Sequence, residues 1–424
     1  MKVCVLGAGI VGLATAYELN QLGINVTVVD SAKVGAGASG GNGAQLSYSY
    51  VQPLADASIW AQLPKLLLSP ESPLKIRPKW DVQQWYWCFA FLRACNAQTS
   101  ARNTANLLAL AALSRMGFER MQAVENLDCD YSNTGKLILY PTAIAFAAAQ
   151  AQLVLQHALG SQQVEMTAQQ CCEMEPALAS YQSHIAGAIF TPSESAVDCL
   201  KLCQELERVL RAKGVQFQLE TTATSSELQQ ERIVAVHTTV GAIQADQFVL
   251  ALGNDSSKLA RSLGIQLSMY PIKGYSMTLY SVDTFGAENV MPKISITDTS
   301  RKVVFAPIGK RLRVAGMAEL VGNDRSVCLQ AIKRLQNSTL ALFPQLNECV
   351  VGEPWSGLRP ATPTGLPIVG VQTGSPRNLI VNTGHGSLGL TLAFATAQQV
   401  AEQVLHSQNP SKTKPLRPAH ALLA

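Results

Sequence analysis

The chain has few charged residues, few aromatic residues and few histidines for its length of 424. Charged side chains make up 15% of it, whereas soluble proteins have about a quarter. The formal net charge of +4 is small, and no dense run of lysine and arginine is interleaved with aromatic residues. Because nucleic-acid-binding proteins usually carry such a basic surface, we expect no nucleic-acid partner.

Metal-binding and disulfide patterns are also missing. Ten cysteines are present but none forms a CxxC pair; Cys171 and Cys172 are adjacent, and Cys199 and Cys203 are four apart on a predicted helix. With six histidines in the chain, neither arrangement resembles a zinc site. The irregular spacing also argues against a disulfide framework. We therefore expect no bound metal, and reduced, mostly buried thiols in a cytoplasmic protein.

Long apolar runs are absent. No stretch of roughly 18 uninterrupted apolar residues occurs, which predicts no membrane span. The apolar run at residues 3–6 leads into a glycine motif and has no signal-peptide cleavage site. Residues 80–95 differ, because they hold three of the five tryptophans together with Arg93. They fit a helix packed on the core, which we favour, or an aromatic face in peripheral contact with the inner face of the cell membrane.

A glycine-rich turn lies between the first predicted strand and the first predicted helix. Gly7 permits the tight turn, Gly9 lets the backbone approach a pyrophosphate, and Gly12 allows close packing of the helix on the strand. The helix N-terminus offers N–H groups and a positive dipole end to phosphates. Asp30 ends the next predicted strand, where an acid hydrogen-bonds ribose hydroxyls. The segment therefore predicts a dinucleotide-binding unit.

A second glycine-rich segment favours FAD over NAD. Residues 248–253 form a predicted strand that ends in glycine, and residues 382–389 form a glycine loop that enters the last predicted helix. A helix N-terminus there would place donors against a flavin ring. Hydride arrival at flavin N5 leaves negative charge near N1 and O2, so such donors stabilise the reduced flavin.

The pattern of elements predicts the fold class. Strands alternate with helices at both ends of the chain, which indicates an α/β protein with a Rossmann-type FAD-binding domain that is discontinuous in sequence. The strand-rich residues 265–320 predict a second, substrate domain built on a mostly antiparallel sheet. We divide the chain into FAD-binding segments 1–80, 145–262 and 351–408, substrate-domain segments 81–144 and 263–350, and a C-terminal tail, 409–424.

The order of the motifs makes the chain resemble one family. It is similar to the D-amino-acid dehydrogenase branch of the FAD-dependent amine and amino-acid oxidoreductases, within the glycine oxidase and D-amino-acid oxidase-like superfamily. The matching segments cover nearly the whole chain and read GAGIVGLATAYELNQLGINVTVVD, SGGNGAQLS, YPIKGYS, GMAE, WSGLRP and GHGSLG.

The resemblance implies an FAD cofactor. Covalent branches of the family use a cysteine near the flavin or a histidine in the early loop. Here glycines follow Ser39, and residues 357–370 contain no cysteine, so we expect non-covalent FAD. The residues expected to contact it are Gly7, Gly9, Ile10, Val11, Gly12, Asp30, Ser31, Ser39, Asn42, Gly43, Gln45, Leu46, Ala251, Gly253, Gly384, His385, Gly386, Ser387, Leu388 and Gly389.

The resemblance also indicates the substrate site. It places Arg359 on a substrate carboxylate, which a guanidinium fork matches bidentately. Tyr275 is expected to share that carboxylate or to shape the pocket, although a core tyrosine in a strand fits its position nearly as well. Tyr50, with Tyr48 beside it, lies in a loop that closes the site in related enzymes. We expect His385 to support the flavin rather than to act as a base.

The activity that the resemblance implies is oxidative deamination of a D-amino acid. The α-hydrogen would leave as hydride to flavin N5, and the imino acid would hydrolyse to a 2-oxo acid and ammonia. The electrons would then pass to a quinone or respiratory acceptor. Three alternatives stay open: an oxidase or dehydrogenase of a secondary amine (glycine, sarcosine, D-proline or hydroxyproline), a flavoprotein subunit of an electron-transfer complex, and a nicotinamide-dependent dehydrogenase. The sequence does not indicate the oligomeric state.

Overall fold

The computed structural model describes residues 1–57, 59–60, 74–158, 162–281 and 291–408. The predicted C-terminal tail, residues 409–424, lies outside them. Among the described residues the α-helices are α1 (Ile10–Gln21), α2 (Val82–Ala94), α3 (Ala97–Val124), α4 (Ala143–Ala158), α5 (Ala168–Met174), α6 (Cys199–Ala212), α7 (Ser256–Ser262), α8 (Leu329–Leu342) and α9 (Gly389–Gln408).

The strands of the same residues are short in the first half of the chain and longer in the second. They are β1 (Lys2–Leu6), β2 (Asn25–Val29), β3 (Gln45–Leu46), β4 (Leu74–Ile76), β5 (Lys136–Tyr140), β6 (Val164–Met166), β7 (Gly187–Thr191), β8 (Ser195–Ala196), β9 (Gln216–Gln218), β10 (Ala223–Gln229), β11 (Arg232–Thr238), β12 (Gly241–Ile243), β13 (Gln247–Leu250), β14 (Tyr270–Tyr280), β15 (Ser295–Asp298), β16 (Val303–Ile308), β17 (Arg311–Leu320), β18 (Val350–Val351), β19 (Trp355–Ala361), β20 (Ile368–Gly370) and β21 (Leu379–Thr383).

The first large sheet has the Rossmann arrangement. Its strand order is β20-β21-β13-β1-β2-β9, and its pairs are parallel apart from β20 with β21. β1 and β13 are nearly continuous apolar runs because both faces of the sheet are covered, as is usual for central parallel strands. Helices α1, α6 and α9 pack together beside this sheet. The predicted FAD-binding fold is confirmed.

Two glycines allow β1, α1 and β13 to approach closely. Gly7 has φ +120°, and a Cβ there would collide with the carbonyl group of Ala251. A Cβ on Gly12 would collide with the carbonyl oxygen of Gly7. The backbone at the start of α1 therefore rests directly on the backbone at the end of β1, which no other residue type would allow.

The second large sheet is mostly antiparallel, as predicted. Its main path is β18-β14-β17-β16-β15-β5-β7-β6, with β19 beside β14 and β4 beside β17. Parallel pairs within it are β15 with β5 and β17 with β4. β14 is buried along its length except at Tyr280, because strands flank it on both edges and α8 packs against it. Its position makes β14 the central strand of this half.

Strand pairing differs from the division made from the sequence at three places. β6 and β7 lie in a segment assigned to the FAD-binding domain, yet they join the second sheet through β5. β19 likewise pairs with β14, and β4 pairs with β17. The physical reason is that a strand's partner is chosen by long-range contacts, whereas its local sequence records only its own burial pattern.

Two consecutive helices, α2 and α3, occupy residues 82–124. α2 ends at Ala94, and the side chain of Asn96 accepts a hydrogen bond from the Thr99 amide to begin α3. In α2, Trp87 is buried and its indole N–H donates to the Ala361 carbonyl at 2.8 Å, so part of this helix packs on the core as favoured. Within the described ranges, no helix combines the length and apolar composition that crossing a membrane requires.

We predict that Gly12→Ala lowers the free energy of unfolding of the apoprotein by about 3 kcal/mol or more, because backbone atoms must move apart. Gly9→Ala is the matched control, since a Cβ on Gly9 would meet only the hydroxyl of Ser39, at 3.4 Å. Its expected effect is within about 1 kcal/mol. Chemical denaturation followed by circular dichroism measures both, and equal losses would contradict the packing argument.

Candidate active site

A cavity of ≈ 2170 Å³ lies between the two large sheets. Residues from both halves line it, so its walls form only when the sheets come together. Three elements meet there: the first turn of α1, the loop between β2 and β3, and the glycine loop before α9. β14, β17 and β19 close the side that belongs to the second sheet.

Most of the residues predicted to contact a flavin or a substrate line this cavity. They are Gly9, Ile10, Val11, Asp30, Ser31, Ser39, Asn42, Gly43, Gln45, Tyr50, Ala251, Gly253, Tyr275, Arg359, His385, Gly386, Ser387, Leu388 and Gly389. Five predicted residues are not in its wall: Gly7, Gly12, Leu46, Tyr48 and Gly384. Gly7 and Gly12 act through backbone packing, and Leu46 is a buried core residue.

The nucleotide end of the cavity is held by hydrogen bonds between loops. The Ile10 amide donates to the Ser39 hydroxyl at 3.0 Å, which ties α1 to the early loop. Asp30 accepts from the amides of Ala8 at 2.7 Å and Ala32 at 2.9 Å. Burial raises the pKa of the Asp30 carboxyl above its ordinary value, and the two amides oppose that rise. Asp30 is therefore fixed in the wall where a ribose would lie.

The loop between β2 and β3 packs on the indole ring of Trp355, which was not among the predicted site residues. A Cβ on Gly41 or on Gly357 would collide with the ring of Trp355, so both glycines make room for it. Gln45 donates to the carbonyl groups of Ile296 and Phe305 at 3.4 and 3.3 Å. These contacts anchor the loop on the second sheet. The motif containing Trp355 was visible in the sequence, but its packing partner was not.

The glycine loop before α9 presents a neutral histidine. His385 is buried, and its Nε2 lies 3.0 Å from the Thr396 hydroxyl. Burial lowers the pKa of His385 from 6.5 to about 4, so the ring is uncharged at neutral pH. A neutral ring bonded within α9 supports the loop and lacks the charge state of a general acid. Support of the flavin by His385 stays a prediction.

Arg359 extends from β19 across β14 toward β17. Its Nη1 donates to the Met317 carbonyl at 2.9 Å, and it lies against Gly274, where a Cβ would collide with the guanidinium. Met317 has φ +65° and lies at a break in the β14–β17 register, a bulge that turns its carbonyl out of the ladder. Burial lowers the pKa of Arg359. No acidic side chain among the described residues pairs with this cation.

The two predicted tyrosines are used differently. The Tyr275 hydroxyl donates to Glu319 at 2.8 Å, and the residue is buried. Burial, followed by the bond to Glu319, raises the pKa of its phenol. Tyr275 therefore offers its ring to the cavity wall, while its hydroxyl is already bonded. Tyr50 lies in the wall with the Lys136 ammonium 4.7 Å from its ring centre.

Lys136 is a site residue that the sequence did not indicate. It begins β5, a position where lysine usually reaches solvent, and its neighbours are ordinary strand residues. The structure instead buries it in the cavity wall. The segment that leads into β10, from Thr221 to Thr224, also lines the nucleotide end. No local pattern distinguishes either group, since both owe their place to strand pairing.

Comparison with known proteins identifies the class. The model of the FAD dependent oxidoreductase family, DAO, matches residues 2–403, and the chain belongs to this family. It is 41% identical over 412 residues to D-amino acid dehydrogenase 2 of Ralstonia nicotianae, covering 95% of this chain and 96% of the relative. It is 40% identical over 424 residues to D-amino acid dehydrogenase 2 of Pseudomonas aeruginosa, covering 99% of each.

The fold agrees with that class. Glycine oxidase of Geobacillus kaustophilus superposes with a TM-score of 0.75 at 22% identity, covering 95% of this chain and 94% of that one. The cofactor of the family is FAD, and the cavity fits it: the glycine turn exposes the α1 N-terminus to a pyrophosphate, and Asp30 lies where a ribose would bind. Non-covalent attachment stays a prediction. Among the described residues, no cluster of potential metal ligands is present.

We predict that His385 makes the apoprotein acid-sensitive. Between pH 6.5 and about 4 the unfolded chain binds a proton at this position and the folded chain does not, so stability falls as pH falls. From pH 7 to pH 5 the wild type should lose about 2 kcal/mol more than His385→Gln. Urea denaturation at both pH values measures this. His237→Gln, at an exposed position, is the control, and parallel losses in all three proteins would contradict the prediction.

Proposed function

We propose that this protein oxidises the α-carbon of a D-amino acid, releasing a 2-oxo acid and ammonia, and passes the electrons to a quinone or respiratory acceptor. Arg359 carries the proposal. Its guanidinium lies in the cavity wall, is bonded to one carbonyl and pairs with no described carboxylate. Such a group favours an anionic ligand that neutralises its charge. The carboxylate of an amino acid has the matching planar geometry.

The role of each group follows from its place. Arg359 would hold the carboxylate, which orients the α-carbon against the flavin ring. FAD, when bound, supplies the acceptor for the hydride that leaves the α-carbon. The ring of Tyr275 and the ring of Tyr50 would bound the space for the substrate side chain. The imino acid then hydrolyses in water, so the protein needs no further nucleophile.

The D configuration of the substrate is supported by the names of the relatives rather than by the shape of the cavity. Two proteins similar to this chain at 41% and 40% identity over nearly their full length are named D-amino acid dehydrogenase 2. The fold by itself also serves glycine oxidase, whose substrate has no chiral α-carbon. We therefore assign a D-amino acid as the substrate class and include achiral and secondary amines in its test.

The electron acceptor is proposed from the surface formed by α2 and the residues just before it. We call Trp80, Trp85, Tyr86 and Phe89 the aromatic face; each is more than half exposed. The cations Arg77, Lys79 and Arg93 are exposed nearby. Aromatic side chains flanked by bases suit the headgroup layer of an anionic membrane. We propose that this face binds the inner surface of the cell membrane, where a quinone is available.

We predict that Arg359→Met lowers kcat/KM by about 100- to 1000-fold, because a charge-assisted bidentate contact is lost, while the flavin spectrum persists. The measurement is anaerobic bleaching of the flavin by D-alanine, D-proline, glycine and the L-forms. Arg377→Met, at an exposed ion pair with Glu231, is the matched control. Bleaching by L-forms alone, or an unchanged Arg359→Met, would refute the assignment.

A further prediction concerns the aromatic face. Trp80→Ser combined with Phe89→Ser should weaken binding to phosphatidylglycerol vesicles by about tenfold, because exposed apolar area is removed. Trp87 is unsuited to this test, since it is buried and bonded to Ala361. Ile144→Ser, at a position 86% exposed on α4, is the control. Vesicle sedimentation measures binding. Equal binding by the wild type and all variants would refute the proposed membrane contact.

A further inference from the structure

The buried cation of the cavity wall that the proposed reaction does not use is Lys136. Its side chain is 2% exposed. The ammonium donates to the Ser47 hydroxyl at 2.9 Å and lies 4.7 Å from the centre of the Tyr50 ring. A buried ammonium held by one hydroxyl and one aromatic face is costly unless those contacts are tight. The position of the Lys136 ammonium therefore depends on Ser47 and Tyr50, and the positions of these two side chains depend on Lys136.

Residues 47–50 are tied down at both ends. The Ser47 amide donates to the Thr391 hydroxyl on α9 at 3.2 Å, which joins the segment to the FAD-binding half. The Ser49 amide donates to Glu194 at 2.6 Å, which joins it to the turn that follows β7 of the second sheet. Among the described residues, no such hydrogen bond holds the Tyr50 side chain. Lys136 is the cation that faces its ring. The contact with Lys136 is therefore the one that can hold the ring through charge.

The groups around Lys136 are few. On the neighbouring strands its register partners are Ser295 and Thr191, which carry no charge. Glu194 is the acid that acts on it electrostatically, and the phenol of Tyr50 is the other titratable group against it. Burial lowers the pKa of Lys136 from 10.5 to about 8, and Glu194 opposes this. The ammonium is accordingly the majority form at neutral pH and is lost just above it.

We propose that Lys136 is a positioning residue: its ammonium, held by Ser47, fixes the Tyr50 ring in the wall of the substrate cavity. The idea rests on the proposed function for its effect on substrate, though not for the contact itself. When the ammonium loses its proton, the attraction to the ring is lost and Tyr50 moves more freely. Substrate binding should then weaken above about pH 8, since one wall of the site is no longer held.

The contact is tested first without turnover. In the FAD-loaded protein with isotope-labelled tyrosine, the Tyr50 ring signal is assigned by its absence in Tyr50→Phe. In the wild type it should shift with a midpoint near pH 8. Burial raises the pKa of the Tyr50 phenol above 10.0, so its own ionisation lies elsewhere. Lys136→Met should abolish the shift and Lys136→Arg should hold the low-pH signal throughout. A shift that survives in Lys136→Met would overturn the proposal.

Kinetics then separates positioning from a general loss of structure. Lys136→Met should raise KM for D-alanine about tenfold at pH 7 with kcat within about twofold. Lys136→Arg should restore KM and move its alkaline rise above pH 10, because arginine keeps its charge. Lys310→Met, on an exposed turn of the second sheet, is the matched control. A fall in kcat with no change in KM would overturn positioning.

Failure of the two proposals can be told apart. If the wild type oxidises no amino acid but the Tyr50 signal still follows Lys136, the substrate assignment fails and the contact stands. If D-alanine is oxidised but the Tyr50 signal is the same in the wild type and in the Lys136 variants, the positioning role fails and the proposed function stands.

Discussion

The pairing of β19 with β14 is the contact on which the site depends. It lays Arg359 across Gly274, so that the guanidinium reaches the Met317 carbonyl on β17. The end of the same strand accepts the indole N–H of Trp87 and forms a bridge to His385 at the glycine loop. One strand therefore joins the second sheet, the helix with the aromatic face and the glycine loop before α9.

The site is built from charges that are buried and only partly satisfied. Arg359 has a carbonyl but no described carboxylate, and Lys136 has a hydroxyl and an aromatic ring. Burying a cation in this way costs stability, so a well-packed apolar residue would be the more stable choice at either place. An anionic ligand would neutralise Arg359, and the Tyr50 ring already lies against the ammonium of Lys136. Tyr275 shows the contrast, because its hydroxyl is already bonded to Glu319.

The sequence was a good guide to the residues that line the cavity wherever their position depends on local backbone geometry. The glycine turn at residues 7–12, the acid at Asp30 and the loop at residues 384–389 each lie within a few residues of the element that uses them. Their positions follow from φ values, helix N-termini and strand ends, which neighbouring residues set. Most of the residues predicted to contact the flavin accordingly line the cavity. The break between α2 and α3 was less visible, because helical periodicity continues across it.

The sequence by itself determined the Rossmann unit and the presence of a second, mostly antiparallel sheet, and its family resemblance led to the proposal for Arg359. Only the tertiary structure decided which strands join that sheet, because β4, β6, β7 and β19 find partners far away in the chain. It also decided that Tyr275 is bonded to Glu319 and that Lys136 is buried beside Tyr50. The residues next to a tyrosine or a lysine in the sequence do not indicate whether its hydroxyl or ammonium contacts water or another side chain. Its role is set by the partner that folding brings to it.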